Sequence, residues 1–183
     1  MIAVIFLVVA SYPMREVTVG GFEVKSWPVR NKGSKMTRKL FIVNPEDCPI
    51  KIVDAEYRIL CTDRSALLIG KFSLKTKTDI HAYRLKLLGF NPFGELISGY
   101  YGDKWVFLSS GQQVTEKMTW DDSQNETVIM LVGVVFVERA RLADGSIWKI
   151  DHGKLVQTIS DLNLEKKTEK KKRDELEKRS QVL

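Results

Sequence analysis

From Thr127 to Ile150 the chain reads Thr-Val-Ile-Met-Leu-Val-Gly-Val-Val-Phe-Val-Glu-Arg-Ala-Arg-Leu-Ala-Asp-Gly-Ser-Ile-Trp-Lys-Ile. A valine-rich run, an Asp144-Gly145 pair and a second apolar run describe a buried strand, a tight turn and a return strand. Asp-Gly is a strong hairpin signal, because a type I′ turn needs positive φ at both central positions. With Asp144-Gly145 as the whole loop, Ala143 faces Ser146, Leu142 faces Ile147 and Arg141 faces Trp148. Leu142 and Ile147 then share the core face. The Arg141 guanidinium covers the Trp148 indole on the opposite face.

Alternation with a period of two dominates the rest of the chain. Val17 to Trp27 reads as a first strand broken at Gly20-Gly21, Met36 to Val43 as a second, and Asn44-Pro45-Glu46-Asp47 as a turn. From Ile50 to Cys61, Asp54, Glu56 and Arg58 alternate with Ala55, Tyr57 and Ile59. Ile52 and Val53 break that parity, which predicts a β-bulge. Leu68 to Lys75, Tyr83 to Leu87, Lys104 to Leu108, Gln112 to Trp120 and Thr127 to Val137 complete the set, with no helical period before residue 154. The fold class that follows is all-β: an immunoglobulin-like two-sheet antiparallel sandwich with a charged C-terminal helical tail. The division expected is a signal-like or first-strand segment at 1–13, the sandwich at 14–151 and the tail at 152–183.

Leu155, Ile159 and Leu162 follow helical spacing, so a short amphipathic helix should dock on the domain. Beyond Leu164 the chain is polar all round. Glu169 with Arg173, Asp174 with Lys178 and Glu175 with Arg179 form favourable helical pairs, each worth about 0.2–0.5 kcal/mol. Of the net charge of +6, half resides between Glu165 and Arg179, where eight basic residues face five acidic ones. The acidic residues interleave with the basic ones, and no aromatic residue accompanies them for base stacking. The tail therefore reads as a solvated helix or spacer ahead of a nucleic-acid or anionic-lipid contact.

Two readings stand for the apolar run that begins Met-Ile-Ala-Val-Ile-Phe-Leu-Val-Val-Ala. It resembles the apolar core of a secretory signal, with Val8 and Ala10 as small residues, but no basic leader precedes it. The alternative is an ordinary first strand. At ten residues it is too short to span a bilayer, which needs roughly 20. Cys48 and Cys61 would lie on the order of 40 Å apart if Ile50 to Cys61 is one strand, so a disulfide between them is not expected. Cys61 shares the parity of Ala55, Tyr57 and Ile59, which predicts a small buried thiol.

One stretch goes beyond periodicity. Ala82-Tyr-Arg-Leu-Lys-Leu-Leu-Gly-Phe-Asn-Pro-Phe-Gly-Glu-Leu ends a strand in a Phe-Gly turn. Leu108-Ser-Ser-Gly-Gln-Gln leads into the strand to Trp120, and Phe41-Ile-Val-Asn-Pro lies upstream. Together with the Leu-Ala-Asp-Gly-Ser-Ile-Trp hairpin, this resembles the bacterial immunoglobulin-like β-sandwich domains of the FxLYD type. The resemblance covers roughly Lys39 to Trp148, and the literal Leu-Tyr-Asp motif is absent. It implies a fold and an envelope or extracellular setting, and no active site.

Catalytic chemistry has little to work with. His81 opens a strand and His152 follows the last one, with no cysteine or carboxylate at ligand spacing. No serine sits in a Gly-x-Ser-x-Gly elbow, and no glycine loop precedes a helix. Asp121-Asp122 reads as a turn before it reads as a calcium ligand, and Asn125-Glu126-Thr127 is a glycosylation sequon. No cofactor and no metal are expected. The loop from Asn91 to Asp103 carries Phe93, Tyr100 and Tyr101 among glycines, with Trp105 just beyond. Aromatics on a mobile loop make a recognition surface; the plainer reading is that Phe93 and one tyrosine plug the end of the sandwich. The function expected is a non-enzymatic secreted or cell-envelope module that binds another protein or serves structurally. The alternatives are an intracellular nucleic-acid-associated protein acting through its basic tail, or a small-ligand binder using the aromatic loop.

Overall fold

The structure, a computed structural model, describes residues 15–19, 22–30, 37–61, 65–123 and 126–162. The N-terminal apolar run, Gly20-Gly21, Asn125 of the sequon and the charged tail at 163–183 lie outside the described residues.

Among the described residues, ten strands form two sheets facing one another. They are β1 (Arg15–Val19), β2 (Phe22–Arg30), β3 (Thr37–Pro45), β4 (Ile50–Cys61), β5 (Ala66–Thr76), β6 (Ile80–Phe90), β7 (Leu96–Leu108), β8 (Gln113–Asp122), β9 (Val132–Leu142) and β10 (Ile147–Lys149). The larger sheet runs β1-β2-β3-β9-β6-β7, with β10 also on β9, and the smaller runs β4-β5-β8. The expected sandwich is present with one parallel rung, β3 on β9 from Lys39↔Val132 to Ile42↔Val135. The edge of β9 that carries β3 along its first half carries β10 along its second, from Arg139 to Arg141. The stretch read as one strand broken at Gly20-Gly21 is two, β1 and β2, paired from Val19↔Phe22.

The period of two explains the main core. Leu40 and Ile42 on β3, Leu68, Phe72 and Leu74 on β5, and Leu85 and Leu87 on β6 are all at most 1% exposed between the sheets. On β4 the inward set is Ile50 and Ile52, then Ala55, Tyr57 and Ile59. The register shift between Ile52 and Asp54 absorbs the extra residue, as the broken parity predicts. Cys61 corrects the parity argument: it ends β4, where the strand runs out from under the facing sheet, and its thiol is exposed. Cys48 is the buried thiol, and both cysteines are free.

A second core lies on the other face of the larger sheet. Phe22 and Val24 on β2, Phe41 and Val43 on β3, Phe90 on β6, and Val134 and Phe136 on β9 point outward together. A helix at 152–162, α1, covers them with Leu155 and Leu162, and Ile159 packs alongside, so the predicted amphipathic helix docks. Asp151 starts it, its carboxylate accepting the Lys154 N–H at 3.1 Å. The domain is therefore three layers deep on one half and two on the other. The half that no described residue covers is the outward face of β7, β6, the end of β9, and β10.

Candidate functional site

The Asn91–Asp103 stretch is not a mobile loop. After a short turn, β7 begins at Leu96 and runs straight through it. Asn91 builds the turn: its Oδ1 accepts the N–H groups of Phe93 (2.9 Å) and Glu95 (3.0 Å), and Gly94 takes φ +83°. Leucine, serine and tyrosine around the glycines suit a half-buried edge strand, and pairing to β6 overrides the glycines. The four aromatics are consequently split. Phe93 sits at the turn tip, 87% exposed, and plugs nothing. Tyr100 points into the core beside Trp120 at 5.9 Å between ring centroids, and burial raises its phenol pKa. Tyr101 and Trp105 point outward. Phe93 is on the order of 30 Å of strand from Trp105, so these two do not form one site.

The outward face of β7 continues the alternation through Tyr101, Asp103, Trp105 and Phe107. Trp105 is 80% exposed and Phe107 86%. His81 meets the Phe107 ring edge-on at 5.0 Å. The register sets two rows across the sheet. Trp105 faces Ala82, Ala82 faces Arg141, and Arg141 faces Ile147. Asp103 faces Arg84, Arg84 faces Arg139, and Arg139 faces Lys149. Ala82 is the short side chain of the first row, and the sheet sinks there into an open depression of about 250 Å³. Trp105 and Ile147 stand on either side of it, and Arg139, Arg141 and Lys149 share its lining with Asp103 and Lys104.

The charges around this depression are unequal. Arg84 makes a forked contact to Asp103, Nε to Oδ1 at 2.6 Å and Nη2 to Oδ2 at 2.5 Å, and reaches Glu138 at 3.6 Å. Its guanidinium also lies over the Tyr101 ring, 4.7 Å from the centroid. Lys86 binds Glu138 at 2.9 Å. The Arg84 contact holds the Asp103 carboxyl below the ordinary carboxylate range. Burial pushes Glu138 up, but Lys86 and Arg84 outweigh it and bring its pKa down. Both carboxylates are thus engaged by Arg84 and Lys86. Arg139, Arg141 and Lys149 make no hydrogen bond or ion pair among the described residues.

The β9–β10 register corrects the sequence reading by one residue. Leu142 N–H binds Ser146 O at 2.9 Å and Gly145 N–H binds Leu142 O at 3.0 Å, closing a loop of Ala143, Asp144 and Gly145. This is a type I turn followed by a left-handed residue, with Gly145 at φ +88°. Asp144 favours it by accepting both the Ser146 N–H (2.8 Å) and hydroxyl (2.6 Å). A slip of one flips every side chain. Arg141 faces Ile147 instead of Trp148, and Ile147 is exposed. Trp148 faces Ala140, packs against both cores and donates its Nε1–H to Asp47 at 3.0 Å. The slip is what brings Ile147 and Arg141 into the depression.

Of the four aromatics named from the sequence, Tyr101 and Trp105 lie on this face, beside Phe107, Arg139, Arg141, Ile147 and Lys149, which the sequence reading did not name as binding residues. Extending the Lys104–Leu108 alternation backward would have found the aromatic stripe. Elsewhere, Asp122 receives the Thr127 N–H (2.6 Å) and hydroxyl (2.7 Å), so it anchors the short 3₁₀ turn at Glu126–Ile129. His152 lies at the exposed start of α1. Among the described residues, no three His, Cys, Asp or Glu side chains gather as a metal site, and no helix is long and apolar enough to cross a membrane.

No protein-family model matches the chain, and no curated protein sequence matches it. Among solved structures, a hypothetical protein from Peptoclostridium difficile 630 superposes with a TM-score of 0.39 at 10% identity, covering 58% of this chain and 88% of that one. A DUF1425 family member from Shewanella sp. pv-4 gives 0.29 at 12% identity, covering 69% of this chain and 94% of that one.

Proposed function

We propose that this chain is a non-enzymatic β-sandwich module of the cell envelope or a secreted protein, and that it binds another protein through the uncovered half of its larger sheet. One observation carries the binding reading. Trp105 and Phe107, both more than 75% exposed, stand two residues apart on one face of an edge strand, with Tyr101 and Ile147 exposed nearby. Single exposed apolar residues are ordinary, but a contiguous aromatic stripe rimmed by charge is the composition of an interaction site. The other half of the same face is covered by α1, and among the described residues nothing covers this half. The envelope setting rests on the signal-like first residues and on the resemblance to FxLYD-type sandwiches.

Two measurements test the proposal. Fractionating the cells and sequencing the N-terminus of the mature protein decides the compartment; an uncleaved cytoplasmic protein refutes that half. For binding, native size fractionation should place the chain in a complex well above its own 20.9 kDa. Replacing both Trp105 and Phe107 with serine should return it to the mass of the free chain. A complex unaffected by that double substitution, or none at all, refutes the second half.

A further inference from the structure

The geometry points to the chemistry of the partner: the depression between Trp105 and Ile147 receives a carboxylate-bearing segment of the bound protein, with an aromatic or aliphatic side chain beside the acid. This deepens the protein-binding reading and rests on it.

Three features of the patch lead there. The first is uncompensated charge. Arg84 faces Arg139 and Arg139 faces Lys149 in a single row across three strands. Like charges directly opposed on one face of a sheet oppose folding. Asp103 and Glu138 pair with Arg84 and Lys86, and Asp103 also feels the charge of Arg139, so the three remaining cations, Arg139, Arg141 and Lys149, outnumber the acids beside them, and none of the three has an ion pair among the described residues. A row that holds more cations than acids and is open toward solvent is complementary to an anion brought from outside.

The second is the extent of the positive area. Asp103 and Glu138 bound it on one side. On the other, Lys149 borders a second depression of about 500 Å³ whose rim holds three acids, Glu46, Asp47 and Asp151, against one further cation, Lys154. A polyphosphate backbone running across the sheet would meet carboxylates in both directions. One or two carboxylates fit between them. The third is the apolar part. Trp105 and Ile147 flank the cations, and the outward row from Tyr101 to Phe107, aromatic except at Asp103, extends about 20 Å along β7. That length exceeds a small molecule and suits an extended chain segment laying alternate side chains on the sheet.

The test is fluorescence anisotropy with a short fluorescein-labelled peptide of alternating Glu and Phe. Peptides in which Gln or Lys replaces Glu, and phosphatidylglycerol vesicles, serve as comparisons. The acidic peptide should bind at low ionic strength and weaken as salt rises. Arg139→Gln with Arg141→Gln should weaken it by roughly tenfold or more, and Lys149→Gln should weaken it less. Lys117→Gln, on the exposed face of the smaller sheet, should leave it unchanged. Because Arg139→Gln relieves a like-charge row, its melting temperature should be no lower than the parent's, which separates lost binding from lost folding. Equal binding of the Gln peptide, or unchanged binding by the arginine variants, overturns the inference. Arginine-dependent binding to vesicles without binding to the peptide overturns it in favour of a membrane surface. If the inference fails while the Trp105/Phe107 serine variant still dissolves the native complex, the protein-binding reading survives without it.

Discussion

Asn44 binds both backbone groups of Ile52 through its side chain: Nδ2 donates to Ile52 O at 2.9 Å, and Oδ1 accepts the Ile52 N–H at 2.9 Å. A residue in an antiparallel strand points its N–H and C=O to the same edge. The carboxamide therefore acts as one rung of a missing strand on the free edge of β4, beside the Ile52/Asp54 bulge. It ties the end of β3 in the larger sheet to the smaller one. Asn44 is 4% exposed and Ile52 0%, so no solvent replaces a lost bond. Asn44→Ala should cost about 3 kcal/mol in urea denaturation, since two buried backbone groups lose their partners. Asn44→Asp should cost at least as much, because a carboxylate cannot donate to the Ile52 carbonyl. An Asp variant as stable as the parent would show that the clamp is unimportant.

Gly145 is held by backbone conformation alone. A Cβ there would meet nothing within 4 Å, yet φ is +88°. Gly145→Val should destabilise by about 1–2 kcal/mol, and Gly145→Asn by less, since asparagine tolerates the left-handed region. Arg141→Ala should be near neutral, because Arg141 faces Ile147 on the open side and supports no core residue. Chemical denaturation of the three variants checks the order.

The two thiols should react at different rates. Cys61 is exposed at the end of β4. Cys48 is buried, donates to Ile50 O at 3.0 Å, and burial pushes its thiol up to about 12. The thiolate is the reactive form. A disulfide reagent at neutral pH should therefore label Cys61 rapidly and Cys48 only as the domain unfolds. Equal labelling rates in the native state would contradict this.

The Arg84–Asp103 fork gives a pH signature. The folded pKa of Asp103 is depressed, so its stabilising contribution is present above the unfolded carboxyl value and is lost as pH falls through the folded one. Asp103→Asn should destabilise by about 0.5–1 kcal/mol near neutral pH, and the difference from the parent should vanish in acid. A difference that persists unchanged at low pH would show that charge is not its origin.

Much of the fold was legible because the core obeys a period of two, and β4 was readable end to end with its bulge. The Phe-Gly, Leu-Ser-Ser-Gly and Asp-Gly turns were readable as well: they carry Gly94, Gly111 and Gly145, the positive-φ glycines of the described chain. The Asp-Gly loop length was not legible, because Asp144 serves a type I turn with a left-handed glycine as well as a type I′ turn, and one residue of difference reverses the faces of β10. The β6–β7 hairpin hid because its second strand is glycine-rich and takes its structure from pairing. The site was illegible for the same reason. Ala82 and Arg84 meet Arg139 and Arg141 only through the register of β6 on β9, strands far apart in sequence, and Lys149 faces Arg139 only because the Asp-Gly loop is one residue longer than the pair suggests.

The uncovered half of the larger sheet is the proposed working surface. A photo-crosslinking amino acid in place of Trp105, with the same residue in place of Lys71 on the exposed face of the smaller sheet, tests it in the native setting. A discrete crosslinked protein is expected from position 105 and none from position 71. Equal crosslinking from both positions, or crosslinking from position 71 alone, would contradict it.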